Sequence, residues 1–295
     1  MLNCQLLQAG EIQAIVGDAS RDGVGGTQYC GLWSLTSKHR QFNAFGNSYA
    51  GLIPGEIRGK SPELQLVDES TCALVRAADE ERPVDVRATY QVVAPYYIDH
   101  HLTFRDKRDM RGSRDFREVS WCCYMNCPED PRIRFFSEGE WFSYISPEHG
   151  VGSNIAPSYI PKSDLEVFPG TSGRRPFHWD RIARRFDEPF YYGRLGRMAL
   201  ILVFDTPHWL RFFCSPSGGG GSLLPDRSCP AWDFEWIIPV TSYEVDREYH
   251  LRMRLVYKRF VSDDDVLDEC RKAQETLNFC RIDSKSTVAD PGEDR

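Results

Sequence analysis

The sequence predicts an all-β fold, a large antiparallel β-sandwich with one C-terminal helix. Aromatic residues make up 13% of the 295 residues, which favours strands. Apolar and polar residues alternate in most of the regular segments, as they do in half-buried strands. Helical spacing recurs only once, near the end of the chain. A succession of strands with one helix near the end excludes doubly wound sheets and β/α barrels, in which strands and helices alternate.

The predicted strands follow one another along the whole chain. The clearest is 84–93, in which every second residue is apolar. Segment 63–68 also alternates, and we expect it to pair with 71–78 across a tight turn. The most apolar run, 198–204, has the length of a buried strand. The other predicted strands are 28–36, 97–105, 116–125, 133–136, 141–145, 182–186, 209–214, 233–239 and 250–258.

A single helix is predicted after Ser262. Serine is a good N-cap residue, and the three aspartates that follow suit the positive end of a helix dipole. Apolar residues then recur at helical spacing as far as Leu277. We expect one domain over residues 1–281 and a flexible tail over 282–295, where the sequence is polar.

Two further segments are predicted to be loops. Residues 147–180 are rich in Pro, Gly and Ser, and loops of that length in compact domains are often functional. Ser217 to Ser222 reads SGGGGS and resembles a flexible linker. Strand-like sequence stands on both sides, so we interpret it as a loop whose glycines let the backbone approach a ligand closely. An engineered loop replacement would have the same sequence.

Composition and charge limit the kinds of molecule that the protein could bind and the compartment in which it works. The formal net charge of −7 argues against nucleic acid or an anionic membrane. No apolar run reaches the 18 residues of a membrane span, and the N-terminus lacks the features of a secretory signal. Ten cysteines are compatible with five disulfides, but a chain of this size does not need them. We therefore expect reduced thiols and a cytoplasmic location, unless a leader has been removed.

No motif in the sequence predicts a cofactor. The glycine runs 23–26 and 217–222 lack the residues and the following helix of a phosphate-binding loop. There is no CxxC pair, no HExxH and no GxSxG. The aspartates after Ser262 lack the glycine and the distal glutamate of a calcium loop. No cofactor and no metal ligands are predicted, and a structural divalent cation at the surface stays an open alternative.

Two polar strand faces carry candidate catalytic groups. In 97–105, His101 shares a face with Asp99, which would fix the tautomer of a histidine acting as acid or base. Further along, Asp233 and Glu235 share a face, about 7 Å apart at the backbone. Such a pair can transfer protons or bind sugar hydroxyls. Each of these faces is equally compatible with an exposed or ion-paired polar surface of a sandwich.

Aromatic and basic side chains near these faces are candidate substrate-binding groups. Trp232 offers a flat face on which a sugar ring would stack. His178 stands between aromatic residues at the end of the long loop and is a further catalytic candidate. The complete predicted binding set is Asp99, Arg87, Trp179, Tyr192, Trp232, Asp233 and Arg252.

The segments YYIDHHLTF and PAWDFEW carry a resemblance to a known group of proteins. Over roughly Tyr29 to Tyr257, the chain resembles the galactose mutarotase-like β-supersandwich superfamily. That resemblance implies that a sugar is held on a concave sheet face, and that histidines and a late carboxylate transfer protons. By order along the chain, it assigns these roles to His101, His178 and Glu235. The mutarotase Asn-His motif has no counterpart here, and the superfamily also includes epimerases, lyases and glycoside hydrolase domains.

The sequence therefore predicts a protein that binds a mono- or oligosaccharide. As an enzyme, it would use acid–base chemistry on the sugar ring, with His101 and Glu235 as the proton-transfer pair. The alternatives are cleavage of a glycosidic bond, by hydrolysis or β-elimination, and a non-catalytic sugar-binding protein. A homo-oligomer is compatible with the sequence.

Overall fold

A computed structural model describes most of the chain: residues 3–18, 29–46, 51–112, 114–148, 151–159, 182–216 and 229–277. These residues form eighteen β-strands, a short 3₁₀ turn (Gly55–Ile57) and one α-helix, α1 (Asp263–Thr276). The predicted all-β class with one C-terminal helix is confirmed. The strands are β1 (Asn3–Ala9), β2 (Ile12–Asp18), β3 (Cys30–Ser37), β4 (Ile53–Pro54), β5 (Glu63–Leu66), β6 (Thr71–Arg76), β7 (Val84–Val93), β8 (Tyr97–Asp106), β9 (Phe116–Cys122), β10 (Ile133–Ser137), β11 (Glu140–Tyr144), β12 (Asn154–Pro157), β13 (Arg184–Phe186), β14 (Phe190–Leu195), β15 (Met198–Phe204), β16 (Leu210–Ser215), β17 (Ala231–Pro239) and β18 (Tyr249–Arg259).

The strands form three sheets. The largest has nine strands in the order β11-β10-β14-β15-β18-β8-β7-β6-β5. A second has six strands in the order β13-β12-β16-β17-β9-β4, and the third is the β1-β2-β3 meander. A backbone bridge between Leu32 and Leu52 links the meander to the start of β4. The paired strands run antiparallel, apart from β12 and β13.

The main core lies between the nine-stranded and six-stranded sheets. Alternate residues of β8 and β17 point into it, as their apolar patterns predict. His100 lies in this core, where Trp121 Nε1 donates to its Nε2 at 3.1 Å, and its Nδ1 lies 2.9 Å from the carbonyl oxygen of Thr89. Burial lowers the pKa of His100 to about 3, so the ring is neutral. His100 is therefore a structural link between the two sheets.

Helix α1 packs on the outer face of the nine-stranded sheet. It begins as predicted, because the Ser262 hydroxyl accepts a hydrogen bond from the backbone N–H of Asp265. Its apolar side covers Ile201 and Val256. A buried carboxylate, Glu269, fixes the helix to the sheet. No helix in the described ranges has the length and hydropathy of a membrane span.

Replacing Glu269 with alanine should loosen this helix. The Glu269 carboxylate accepts hydrogen bonds from Tyr96 (2.9 Å), Tyr97 (2.8 Å) and Lys258 (3.0 Å). Their loss leaves half-buried donors unpaired, so we expect the free energy of unfolding to fall by about 1–3 kcal/mol in urea titrations. Glu275→Ala, an exposed change in the same helix, should stay within about 0.5 kcal/mol of the parent. Equal effects of the two changes would contradict the role of Glu269.

Several sequence predictions fall outside the described residues. Ser217 to Ser222 and the tail over 282–295 are among the residues that the structure leaves undescribed. The single-domain boundary at 281 stays a prediction for the same reason.

Candidate functional site

The two predicted proton-transfer groups lie on opposite sides of the sandwich. His101 points outward from the nine-stranded sheet, because its strand neighbour His100 points into the core. Glu235 points outward from the six-stranded sheet, because Phe234 and Trp236 point into the same core. Packed sheets are about 10 Å apart, and these two side chains point away from each other. The structure therefore does not bring His101 and Glu235 to one substrate.

The surroundings of His101 also differ from the prediction. Asp99 does not orient His101, because its carboxylate accepts two hydrogen bonds from Arg254, at 2.6 and 2.7 Å. His101 instead places Nε2 3.2 Å from Nδ1 of His250, with the two rings stacked. Burial, with a further contribution from cross-strand Arg252, lowers the pKa of His101 to about 4. Strand β18, which carries His250, Arg252 and Arg254, therefore pairs with β8 in the nine-stranded sheet and not with the acidic face of β17.

Two predicted aromatic contacts are core residues. Trp232 is 0% exposed, packs against Gly193 and donates from Nε1 to the carbonyl oxygen of Pro131 at 2.8 Å. It offers no open face, contrary to the prediction of a stacking platform. Tyr192 is equally buried, and its hydroxyl donates to Asp263 at the start of α1 and accepts from Arg134. Both residues stabilise the sandwich instead of facing a ligand.

The remaining predicted residues lie elsewhere. Arg87 is on the outer face of the nine-stranded sheet and donates to the side chain of Gln65 at 3.1 Å. It shares that sheet with Arg252, on the opposite side of the sandwich from Glu235. His178 and Trp179 lie outside the described residues, so their roles stay predictions.

Asp233 and Glu235 share the outer face of β17, as the period of the strand predicted. Both are almost completely buried, with 4% and 1% of their surface exposed. The Asp233 carboxyl accepts a hydrogen bond from the backbone N–H of Cys123 at 2.6 Å. Neither carboxyl oxygen of Glu235 has a hydrogen-bond partner in the part of the chain that the structure describes. We refer to the outer face of the six-stranded sheet around these two residues as the carboxyl face.

Burial determines the protonation of both groups. Removal from water raises the pKa of Asp233 to about 8. It also raises the pKa of Glu235 well above its ordinary value, and the nearby charge of Glu118 adds to this effect. Asp233 therefore holds its proton at neutral pH, and burial favours the protonated form of Glu235. A buried glutamic acid that holds a proton is the form required of a general acid.

Charged side chains from neighbouring strands surround Glu235. Arg211 on β16 is its cross-strand partner and is only 3% exposed. Burial lowers the pKa of Arg211 to about 10, so its guanidinium is still charged at neutral pH. On the other side, Ser120 of β9 is the cross-strand neighbour. Glu118, two residues before Ser120 on β9, forms an ion pair with Arg114 at 2.8 Å.

Aromatic residues surround Asp233. Tyr29 and Tyr124 meet edge to face in an apolar cluster on this side of the sheet. Arg58 places its guanidinium 4.7 Å above the ring of Tyr29 and donates to Sγ of Cys122 at 3.8 Å. Arg58 is exposed, whereas Asp233 behind it is buried. The arginine therefore stands at the solvent side of the carboxyl face.

Sequence reasoning missed most of this environment. The residues that it did not single out are Tyr29, Arg58, Glu118, Tyr124 and Arg211. One of them had a usable signal: Arg211 is a charged residue in the otherwise apolar segment LRFFCS, and a charge in a buried strand needs a partner or a function. The others come from different parts of the chain and meet only in the folded sheet.

The carboxyl face supplies groups for proton transfer. Within the described ranges, no three His, Cys, Asp or Glu side chains are arranged to hold a metal ion. Two buried carboxyls, a buried arginine and an aromatic cluster are present instead. Strongly shifted carboxyl pKa values with identifiable causes are typical of functional sites.

Comparison with known proteins identifies a related fold. No protein-family model and no curated protein matches the chain. Among solved structures, a heparan sulfate lyase HepC mutant from Pedobacter heparinus aligns with a TM-score of 0.50 and 6% identity, over 88% of this chain and 36% of the lyase. A GalM/aldose epimerase homologue from C. elegans aligns with a TM-score of 0.47 and 6% identity, over 88% of this chain and 100% of that chain. Epimerase homologues are thus among the similar structures, as the sequence resemblance predicted, and at these identities the likeness concerns the fold alone.

Proposed function

We propose that this protein is a carbohydrate-processing enzyme in which Glu235 transfers the proton. The observation that carries the proposal is the buried carboxyl of Glu235, which has no hydrogen-bond partner among the described residues. Leaving a buried polar group unpaired costs about 1–3 kcal/mol, and folded proteins rarely keep such groups. A substrate hydroxyl or ring oxygen would supply the missing partner.

The surroundings of Glu235 suit both halves of a proton-transfer cycle. As a neutral acid, it donates its proton to a sugar oxygen. The carboxylate that results lies beside the guanidinium of Arg211, whose charge stabilises it until a proton returns. Asp233, two residues along the strand, would bind a second hydroxyl of the same sugar.

The carbohydrate class comes from the fold and the resemblance. The heparan sulfate lyase whose fold the chain shares acts, by its name, on a carbohydrate. One fold hosts many reactions, so this likeness supports the class of substrate and not the reaction. An epimerase- or mutarotase-like reaction on the sugar ring is the first candidate. Because His101 lies on the opposite face, Glu235 acts without it.

Cleavage of a glycosidic bond is the second candidate. The observation that favours it is the presence of two carboxyls, Asp233 and Glu235, on one buried face. Hydrolysis uses a pair of carboxyls, one of which protonates the leaving oxygen. The raised pKa of Glu235 suits that role.

Turnover by a Glu235→Gln variant tests the proposal. Glutamine has nearly the same shape but holds no transferable proton, so we expect turnover to fall by about 10²–10⁴-fold. Sugars and oligosaccharides are assayed for anomer exchange by NMR, for epimerisation, for new reducing ends and for unsaturated products by ultraviolet absorbance. Exposed Glu244→Gln serves as the control and should keep parental turnover. Full activity of Glu235→Gln on a sugar that the parent converts would refute the role of Glu235. Failure of the parent to convert any sugar would refute the proposal that the protein is a carbohydrate-processing enzyme.

A further inference from the structure

The outer face of the nine-stranded sheet carries two arginines that no ion pair neutralises in the described part of the chain. Arg87 on β7 and Arg252 on β18 both point outward, because their strand neighbours point into the core. We propose that this face binds a small molecule with two separated anionic groups, one received by each arginine. The site lies on the opposite side of the sandwich from Glu235, so it does not rest on the proposed function.

Arg252 is exposed, and its guanidinium has neither an ion pair nor a hydrogen bond among the described residues. The adjacent carboxyl in the sheet belongs to Asp205, whose backbone N–H donates to the carbonyl oxygen of Arg252 at 3.2 Å. Oδ1 of Asp205 is buried without a described partner, so Arg252 does not bind this oxygen. Burial also raises the pKa of Asp205 to about 7, so near neutral pH this carboxyl is only partly ionised. Arg252 therefore keeps its fork of donors available for a ligand.

Arg87 is held in place by a neutral group. Its guanidinium donates to Oε1 of Gln65 on β5 at 3.1 Å, and this is its one side-chain hydrogen bond within the described ranges. An amide oxygen fixes the arginine without cancelling its charge. The other donors of the planar guanidinium fit a phosphate or a carboxylate.

The charged side chains around the two arginines are paired with one another. They occupy the rows of the same sheet face above and below, and each carboxylate there binds a cation other than Arg87 or Arg252. The three pairs are Asp85 with Lys107 at 3.0 Å, Arg105 with Glu248 at 3.0 Å, and Asp99 with Arg254 at 2.6 and 2.7 Å. A charge-balanced frame thus surrounds a centre that holds two unpaired positive charges.

Neutral hydrogen-bonding groups lie between the two arginines. Strand β8 separates β7 from β18, and its residues Thr103 and His101 stand opposite Arg87 and Arg252 respectively. Burial lowers the pKa of His101 to about 4, so its ring is uncharged at neutral pH. Two strand spacings and one step of two residues place the arginines about 12 Å apart at the backbone. That separation favours a ligand whose two anions are joined by a polar, uncharged linker, such as a bisphosphate or a dicarboxylate of a polyhydroxylated chain.

Binding of matched ligand pairs tests the proposal. The probes are fructose 1,6-bisphosphate with fructose 6-phosphate, and glucarate with gluconate, so the members of each pair differ by one anionic group. Titration calorimetry on the full chain measures their affinities. We expect the doubly charged member of at least one pair to bind about ten-fold or more tightly, and to lose that advantage as NaCl is raised. The two pairs distinguish phosphate from carboxylate as the group that is recognised.

Arginine variants assign the preference to this face. Arg252→Met and Arg87→Met should each reduce the affinity ratio of the doubly to the singly charged probe by about ten-fold. Arg252→Lys should retain part of the ratio, because the charge stays but the fork is lost. Arg271→Met removes a positive charge from an exposed position on α1 and should leave the ratio unchanged. Circular dichroism and urea denaturation show whether each variant is folded, and Arg87→Gln replaces Arg87→Met if the latter is not.

The outcomes decide the proposal without reference to Glu235. If both members of each pair bind the parent equally, or if none binds, the two-anion site is overturned. If the preference persists in the Arg252 and Arg87 variants, the ligand binds elsewhere and the assignment to this face is wrong. Loss of the preference in only one of the two would overturn the shared site. Turnover that depends on Glu235 would survive each of these failures, because that side chain lies on the other sheet.

Discussion

Replacing Arg117 with methionine is expected to lower the free energy of unfolding by about 3–5 kcal/mol. Arg117 is the second residue of β9 in the six-stranded sheet, and its Nε donates to Asp106, the last residue of β8 in the nine-stranded sheet, at 2.7 Å. A second carboxylate, Glu56 of the 3₁₀ turn, accepts from the same guanidinium at 2.8 and 3.1 Å. One arginine thus joins both sheets of the sandwich.

The size of this effect follows from what the substitution leaves behind. Asp106 is 0% exposed, and after the change its carboxylate would keep only the hydroxyl of Tyr243 as a side-chain donor in the described residues. An unpaired buried carboxylate is far more costly than a missing surface ion pair. Urea denaturation measures the loss. Arg132→Met removes an exposed pair with Asp130 and should cost less than about 1 kcal/mol, so equal losses in the two variants would contradict a special role for Arg117.

Strand identity in this protein is largely a local property of the sequence. The two-residue period of β7 and β8 predicts both the strands and the side that each residue faces, and the structure confirms them. The start of α1 follows equally from one capping serine. These elements are predictable because neighbouring residues alone determine them.

Other strands could not be predicted, because distant partners create them. β12 lies within the segment predicted as a long loop, has four residues and ends in a proline. Nothing local marks it as a strand, and it exists because β16 and β13 pair with its two edges. The hairpin of β1 and β2, also not predicted, turns at Gly10, whose φ of +57° favours glycine.

The candidate site, like the strands, is predictable only where neighbouring residues in the sequence determine it. That Asp233 and Glu235 share a face follows from strand period, and the structure confirms it. Which sheet carries that face depends on the pairing of β17 with β9 and β16, which the sequence does not reveal. His101 and Glu235, the predicted proton-transfer pair, therefore lie on opposite sides of the core. The burial of Trp232 was equally hidden, since nearly all of β17 is buried on both faces.

Replacing Asp233 with asparagine is expected to stabilise the protein, and increasingly so as the pH rises. The pKa of Asp233 is raised to about 8 in the folded chain, against an ordinary value of 3.8. Between these pH values the folded chain holds a proton that the unfolded chain releases, so the free energy of unfolding of the parent falls as pH increases. Asparagine does not titrate, and its side-chain oxygen can still accept from the N–H of Cys123. The advantage of the variant should grow from near zero at pH 4 to at most about 5 kcal/mol at pH 8.

Urea denaturation of parent and Asp233→Asn across pH 4 to 8 measures this difference. Asp268→Asn, an exposed change on α1, should give a difference from the parent that stays within about 0.5 kcal/mol at every pH. A flat difference for Asp233→Asn would mean that Asp233 is ionised in the folded protein, and this would contradict the raised pKa of its carboxyl. A difference that grows with pH, together with impaired sugar binding, would show that the chain keeps a destabilising carboxyl because its substrate needs it.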